Sequence, residues 1–376
     1  MEYEQLFNRG NSTGQDMPKT TLLAIETSCD ETGVAIVERA GDTIRVLASQ
    51  LASQMDIHVA TGGVIPEVAA REHVTALQPM IKQVIAASGR TPAQLSAIAV
   101  TIGPGLQPAL SVGVNAARAL AYAWDKPLIP VQHLEGHVYS ALLQNVAGEK
   151  NATQFMVPAD DEIFPALALI VSGGHTQLIV MHRHAAYEVV GSTKDDAAGE
   201  AFDKVARLVG LPYPGGPAIS ELAKTGNVHG FAFSVPMAGS ADLNFSFSGL
   251  KTAVLYAWRE LSSTEQAARR ADIVASFEYT VVEALALKTA RAIEEYQPRV
   301  LLLAGGVAAN TALQEKLTAL AQAQGVPLRI APGYLTGDNA VMIGQVALFA
   351  YEQKRFMAWQ QIDATARLPI GAFQPQ

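Results

Sequence analysis

The same succession of signals occurs twice along this chain of 376 residues. In the first, an apolar run at 22–25 enters a polar turn, Glu26-Thr27-Ser28-Cys29-Asp30-Glu31-Thr32, and the chain returns through the apolar run 33–37. Further on, the run 97–102 breaks at Gly103-Pro104-Gly105, and a helical pattern follows at about 109–123. In the second, the run 166–171 enters Ser172-Gly173-Gly174-His175-Thr176 and returns through 177–181; later, 300–304 breaks at Gly305-Gly306 before a helical pattern at 308–323. Short apolar runs bounded by turn residues read as buried strands. Strand, glycine and helix start in succession form the arrangement that presents backbone N–H groups to an anion. A repeat of about 150–200 residues has the length of a domain. The chain therefore reads as an α/β protein of two duplicated domains. The cleft between them would be lined by hairpin tips and helix starts, and ligand sites favour such interfaces. The expected division is a polar leader at 1–18, a first domain at 19–144 closed by a C-terminal helix at about 339–376, and a second domain at 145–338 that begins with a loop at 145–162.

Composition narrows the function classes. With 49% hydrophobic and 16% charged residues, the chain can fill a large core. Cys29 is the single cysteine, so no internal disulfide can form, which fits a reducing compartment and hence the cytoplasm. No apolar run approaches the roughly 20 residues that span a bilayer. The 27 Lys+Arg against 35 Asp+Glu argue against a firm unaided grip on nucleic acid, because phosphate contacts supply most non-specific affinity.

The densest chemical signal is His133-Leu134-Glu135-Gly136-His137, between an apolar run at 127–131 and a helical one at 138–143. Histidines four apart on a helix share a face, where one divalent ion can take both rings. The pair also fits a packed pair of core histidines, and two imidazoles leave a metal site incomplete. Glu135 lies roughly 200° round from His133 at 3.6 residues per turn. The zinc-protease pattern H-E-x-x-H needs its glutamate directly after the first histidine, so that reading loses its general base. Asp30 and Glu31, in the first polar tip, have the chemistry of a base or a metal ligand, although a solvated hairpin carries such residues too. Asp338, just before a closing helical run, reads equally as a helix cap.

The motifs together resemble the TsaD family, the catalytic subunits of bacterial tRNA N6-threonylcarbamoyladenosine synthesis. Those that carry the resemblance are residues 26–32, 103–105, 133–137, 171–177, 195–204, 213–217, 245–251, 305–310 and 338–339, in order across nearly the whole chain. The resemblance implies duplicated actin/hexokinase-like (ribonuclease H-like) domains. It implies one divalent metal, iron(II) or zinc, on His133, His137 and Asp338. It also implies that Ile170, Val171, Ser172, Gly173, Gly174, Asp203, Gly216 and Asn310 contact threonylcarbamoyl-AMP or a nucleotide. The implied partners are tRNA, a paralogous TsaB-like subunit and a TsaE-like ATPase, with no membrane. Asp30 or Glu31 is the expected proton acceptor. An actin-fold kinase or ATPase and a non-catalytic paralogue are the rival readings. The histidine pair weighs against both.

Overall fold

The computed structural model describes residues 19–61, 63–145 and 153–373. The expected leader at 1–18 and part of the expected loop, 146–152, lie outside the described residues. The chain begins as a meander of β1 (Thr20–Glu26), β2 (Glu31–Ala40) and β3 (Thr43–Ser53). Helices α1 (Met55–Thr61) and α2 (Pro66–Ser88) lead to β4 (Ala97–Gly103), α3 (Gln107–Trp124), β5 (Leu128–Gln132) and α4 (His133–Leu142). The short β6 (Gln144–Asn145), β7 (Gln154–Met156) and α5 (Asp160–Ile163) follow. A second meander is built of β8 (Ala166–Val171), β9 (Thr176–Arg183) and β10 (Ala186–Ser192). Then come α6 (Ala198–Leu208), α7 (Gly215–Ala223), α8 (Ser248–Glu260), α9 (Ser263–Tyr296), β11 (Val300–Ala304), α10 (Thr311–Gln324), β12 (Leu328–Ile330) and α11 (Ala340–Glu352).

The first sheet runs β5-β4-β1-β2-β3 and the second β12-β11-β8-β9-β10. In each, an antiparallel meander is continued by two parallel strands beside its first strand. That shared order makes the two halves duplicates of one actin/ribonuclease H-like unit. Alternation along the strands decides the layering. Leu23 and Ile25 of β1 face α2 and α3, whereas Leu22 and Ala24 face α4 and α11. The cluster around α4 and α11 also takes in Ile170, Ile179 and Leu302 of the second sheet, whose other face packs under α6 to α10. Both sheets are thus covered on both faces, which is why their central strands are unbroken apolar runs. The C-terminal helix α11 lies against β1 to β5 of the first sheet. Gly344 lets it close, since a Cβ there would meet Val37.

Some elements differ from expectation. β3 carries mixed exposure and no clean apolar run, so pairing with β2 rather than intrinsic pattern makes it a strand. Its far edge is joined by β7, from the stretch expected as a loop. Helix α9 starts at Ser263 on a capping box formed by Ser262 and Glu265. The Gly103-Pro104-Gly105 turn is occupied by chain crossing rather than by an anion cradle. A Cβ on Gly103 would run into the Thr365 carbonyl oxygen, and one on Gly105 into Ser28.

Candidate active site

Strand β5 ends directly in α4, so His133 and His137 stand where the parallel strands of the first sheet end, the usual place for ligands in open α/β sheets. Asp338 reaches the same point from the loop before α11. Its Oδ1 lies 3.2 Å from His133 Nε2 and 3.3 Å from His137 Nε2. The helix cap is Asn339 instead, whose Oδ1 accepts from Met342 N at 3.0 Å, so Asp338 is free of that duty. One ligand atom from each of the three residues lies within 4.8 Å of the others.

The donor set fits a divalent metal for reasons internal to the chain. His133 Nδ1 faces Glu26 Oε2 and Ser28 Oγ, each at 3.2 Å; the Glu26 carboxylate favours a proton on Nδ1 and orients the ring with Nε2 towards Asp338. The Nε2 atoms of both rings and the Asp338 carboxylate meet at one point, where a positive charge, a proton or a divalent ion, balances the carboxylate. Both ring nitrogens of His137 are buried; Nδ1 has no hydrogen-bond partner, and Nε2 has only Asp338 Oδ1, 3.3 Å away. Burial works against charge on all three residues. Even so, the two imidazoles hold the Asp338 carboxyl well below the usual carboxylate range, and Asp338 with Glu26 holds His133 above its ordinary value. Burial prevails at His137 and lowers its pKa. Glu26 itself is fixed by Thr101 Oγ1 at 2.6 Å and Ser28 N at 2.5 Å.

The 27–31 tip approaches this group from the first hairpin. Its backbone is held by His73, whose Nε2 lies 3.0 Å from the Cys29 carbonyl oxygen. Burial, then the charges of Asp338 and Asp30, push the Glu31 carboxyl up to about 9. At neutral pH Glu31 therefore carries a proton and is hydrogen-bonded to Asp30. Of the Asp30–Glu31 pair, Glu31 is thus the one that holds a proton.

A cavity of about 470 Å³ is lined by the second half and by Met55 of α1 from the first. Gly173, Asp203, Gly216 and Asn310 all line it, drawn from four separate elements and loops. Gly173 and Gly174 are exposed, with open space where a Cβ would stand, so backbone can approach a ligand there. Ile170 and Val171 belong to the core instead. Their side chains are fully buried in β8, and only backbone is left to face a ligand. Ser172 does not line the cavity; its Oγ accepts from His175 N at 3.1 Å and shapes the tip. Asp203 Oδ1 accepts from Gly215 N at 2.7 Å, and burial raises its pKa. Asn310 caps α10 through Leu313 N at 2.8 Å and donates to Glu278 at 2.6 Å.

Comparisons with known proteins agree in direction. A relative from Moorella thermoacetica, named tRNA N6-adenosine threonylcarbamoyltransferase, is 44% identical over 94% of this chain and 98% of its own length. A relative of the same name from Anaeromyxobacter dehalogenans is 49% identical over 86% and 92%. The TsaD model, described as tRNA N6-adenosine threonylcarbamoyltransferase, matches residues 45–345. The chain belongs to the TsaD family. It is accordingly an enzyme, a transferase. Among solved structures, HypF from T. kodakarensis superposes with a TM-score of 0.58 at 16% identity, over 90% of this chain and 48% of that one, which is a likeness of fold alone.

Three residues of this TsaD-family site escaped the sequence reading. Glu26 and His175 lie inside motifs that carried the resemblance, yet nothing in spacing assigns them a task. His175 faces the metal group, and burial with the charges of His133 and His137 lowers its pKa to about 4. Glu278 sits in the middle of the long helix α9, where only tertiary contact with Asn310 and Ser220 distinguishes it. Two further motifs prove to be one lock: Asp195 accepts from Ser246, Ser248 and Phe247 N, while Asp196 pairs with Lys204 and Lys251.

Proposed function

We propose that this chain transfers the threonylcarbamoyl group of threonylcarbamoyl-AMP to N6 of the adenosine 3′ of the anticodon, in tRNAs that read codons beginning with A. The new bond joins N6 to the carbamoyl carbon. The bond from that carbon to the phosphate oxygen breaks, and AMP leaves with the electron pair. The observation that carries the reading is the placement of the His133–His137–Asp338 group, and the Asp30–Glu31 tip beside it, in a chain that also holds a cavity of nucleotide size. His133, His137 and Asp338 are the residues that would hold a divalent ion. A set of two imidazoles and one carboxylate suits iron(II), our assignment, and also zinc. Such an ion supplies Lewis acidity and orientation for a carbonyl.

The chain's own groups do the rest. The cavity at Gly173, Asp203, Gly216 and Asn310 holds the adenylate, with open glycine backbone towards phosphate and Asp203 as acceptor for ribose hydroxyls. Asp30 takes the N6 proton, and Glu31 provides one to the departing phosphate. Alanine at Asp203 and at Asn310 is expected to weaken equilibrium binding of a non-hydrolysable adenylate analogue about tenfold each, the loss of one hydrogen bond to a charged or polar ligand group. Unchanged affinity in both, in proteins with wild-type melting curves, removes the nucleotide from this cavity.

The acidic balance of the chain bears on partners. Its adjacent basic pairs, Arg269-Arg270 and Lys354-Arg355, are already engaged: Arg269 is stacked over Phe231 and donates to the Gly230 carbonyl, and Arg355 is paired with Glu135. We assign productive tRNA binding to an assembly with a TsaB-like paralogue and a TsaE-like ATPase. The decisive assay supplies pre-made adenylate and tRNA and reads the modified nucleoside, with and without those proteins. Sustained turnover is expected only in their presence. Turnover by the chain alone overturns the dependence, and no modified nucleoside under any condition overturns the function.

A further inference from the structure

The second hairpin tip has ligand space on two sides. Gly173 lines the cavity already described, whereas His175 and Gln177 line a separate one of about 330 Å³, with no lining residue in common. Leu134, the residue after His133, and Pro104 form part of its wall, and the tail residues 366–370 form the rest. Its volume is within the range of about 300–1,000 Å³ that small-molecule sites occupy.

Two groups in it are without partners. Gln177 continues the inward row of β9 set by Ile179 and Met181, both fully buried against the α4 side. A carboxamide is out of place on that row for packing. Its Oε1 is buried and makes no hydrogen bond. Arg367 is exposed and makes no ion pair among the described residues. The tail that carries it is nonetheless pinned. Thr365 N donates to the Ile102 carbonyl at 2.7 Å, Ala366 N to Gln107 Oε1 at 3.0 Å, and Gln132 Nε2 to the Leu368 carbonyl at 3.0 Å. An unpaired buried carboxamide oxygen and a free guanidinium on a pinned stretch of backbone therefore flank one groove, whose wall includes Leu134, the neighbour of His133. His175 lines the same groove.

We propose that this groove seats the acceptor adenosine, with Gln177 reading the adenine edge that bears N6 and Arg367 meeting an RNA phosphate. A glutamine carboxamide matches adenine in both polarities: Oε1 accepts from an N6 hydrogen and Nε2 donates to N7. Guanine presents two acceptors on that edge and would leave one carboxamide group unpaired. Holding one N6 hydrogen on Oε1 leaves the other for Asp30. The assignment rests on the functional reading above.

The test uses anticodon stem-loop RNAs carrying adenosine or 7-deazaadenosine at the acceptor position, with the full chain and the partner proteins. Wild type is expected to lose about 5- to 150-fold in kcat/KM on 7-deazaadenosine, the cost of leaving the carboxamide Nε2 donor without its N7 acceptor. Gln177→Leu is expected to show a similar loss on adenosine and to treat the two RNAs alike. Its metal content and its affinity for an adenylate analogue should match wild type, results that a merely structural role would not give. Arg367→Gln should raise KM for RNA and lower the slope of log affinity against log salt by about one. Equal wild-type rates on the two RNAs, or a full 7-deaza penalty retained in Gln177→Leu, overturns the base contact. An unchanged salt slope overturns the phosphate contact. Absence of product from wild type with adenosine sinks the functional reading itself, and this inference with it.

Discussion

Asp338→Ala is expected to strip the purified protein of stoichiometric metal and to lower turnover by about 10³-fold or more, since a metal-polarised carbonyl accounts for several kcal/mol of barrier. His137→Ala should match it. Both residues present their ligand atoms to one point, with Asp338 Oδ1 3.2 Å from His133 Nε2 and 3.3 Å from His137 Nε2. Glu26→Gln should act at one remove, with metal affinity down by about 10- to 100-fold, because it orients His133 without touching the ion. Metal analysis of the as-purified variants, followed by titration of the stripped proteins, separates the two classes. Full metal retention by Asp338→Ala would falsify the site.

The second large effect is on stability. Glu135 points away from the histidine pair, and its carboxylate, fully buried, meets Arg355 Nη2 at 2.8 Å. Burial raises the Glu135 pKa even against this guanidinium, and Glu135 Oε1 and Arg355 Nε are left without partners. Such a pair adds little net stability, yet removal of one member strands a buried charge. Arg355→Met is therefore expected to cost about 3–5 kcal/mol. The double replacement Glu135→Met/Arg355→Met should recover most of that loss, because an apolar pair of similar volume carries no desolvation penalty. Denaturant melts of the single and double variants decide it. Equal destabilisation in the two proteins shows that packing, and not the stranded charge, sets the cost.

How far the sequence reaches can be traced through single residues. Leu22 to Ile25 and 166–171 are apolar without alternation because both faces of their strands are covered, and that local property is readable. The twofold order of signals in turn foretells two sheets of like topology. The spacing of His133 and His137 is a property of one helix, so it too is legible. The resemblance supplied Asp338, 201 positions beyond His137 by residue number, but proximity could not be read from any local pattern, and Asp338 looked equally like a cap. Only the tertiary structure gives that duty to Asn339 and turns Asp338 to the rings. The same holds for Glu31. Carboxylates in a polar tip look like bases, but burial beside Asp338 and Asp30 makes one of them an acid at neutral pH. Glu278 and Arg367 carry no local signal, because what marks them is a missing or distant partner; Gln177 lies inside the 171–177 motif, but spacing assigns it no task. Sequence determines which elements form and which faces they bury, since periodicity and propensity act over a few residues. The site is decided by long-range packing: α11 and the tail that follows it return to the first sheet and bring the end of the chain to its beginning.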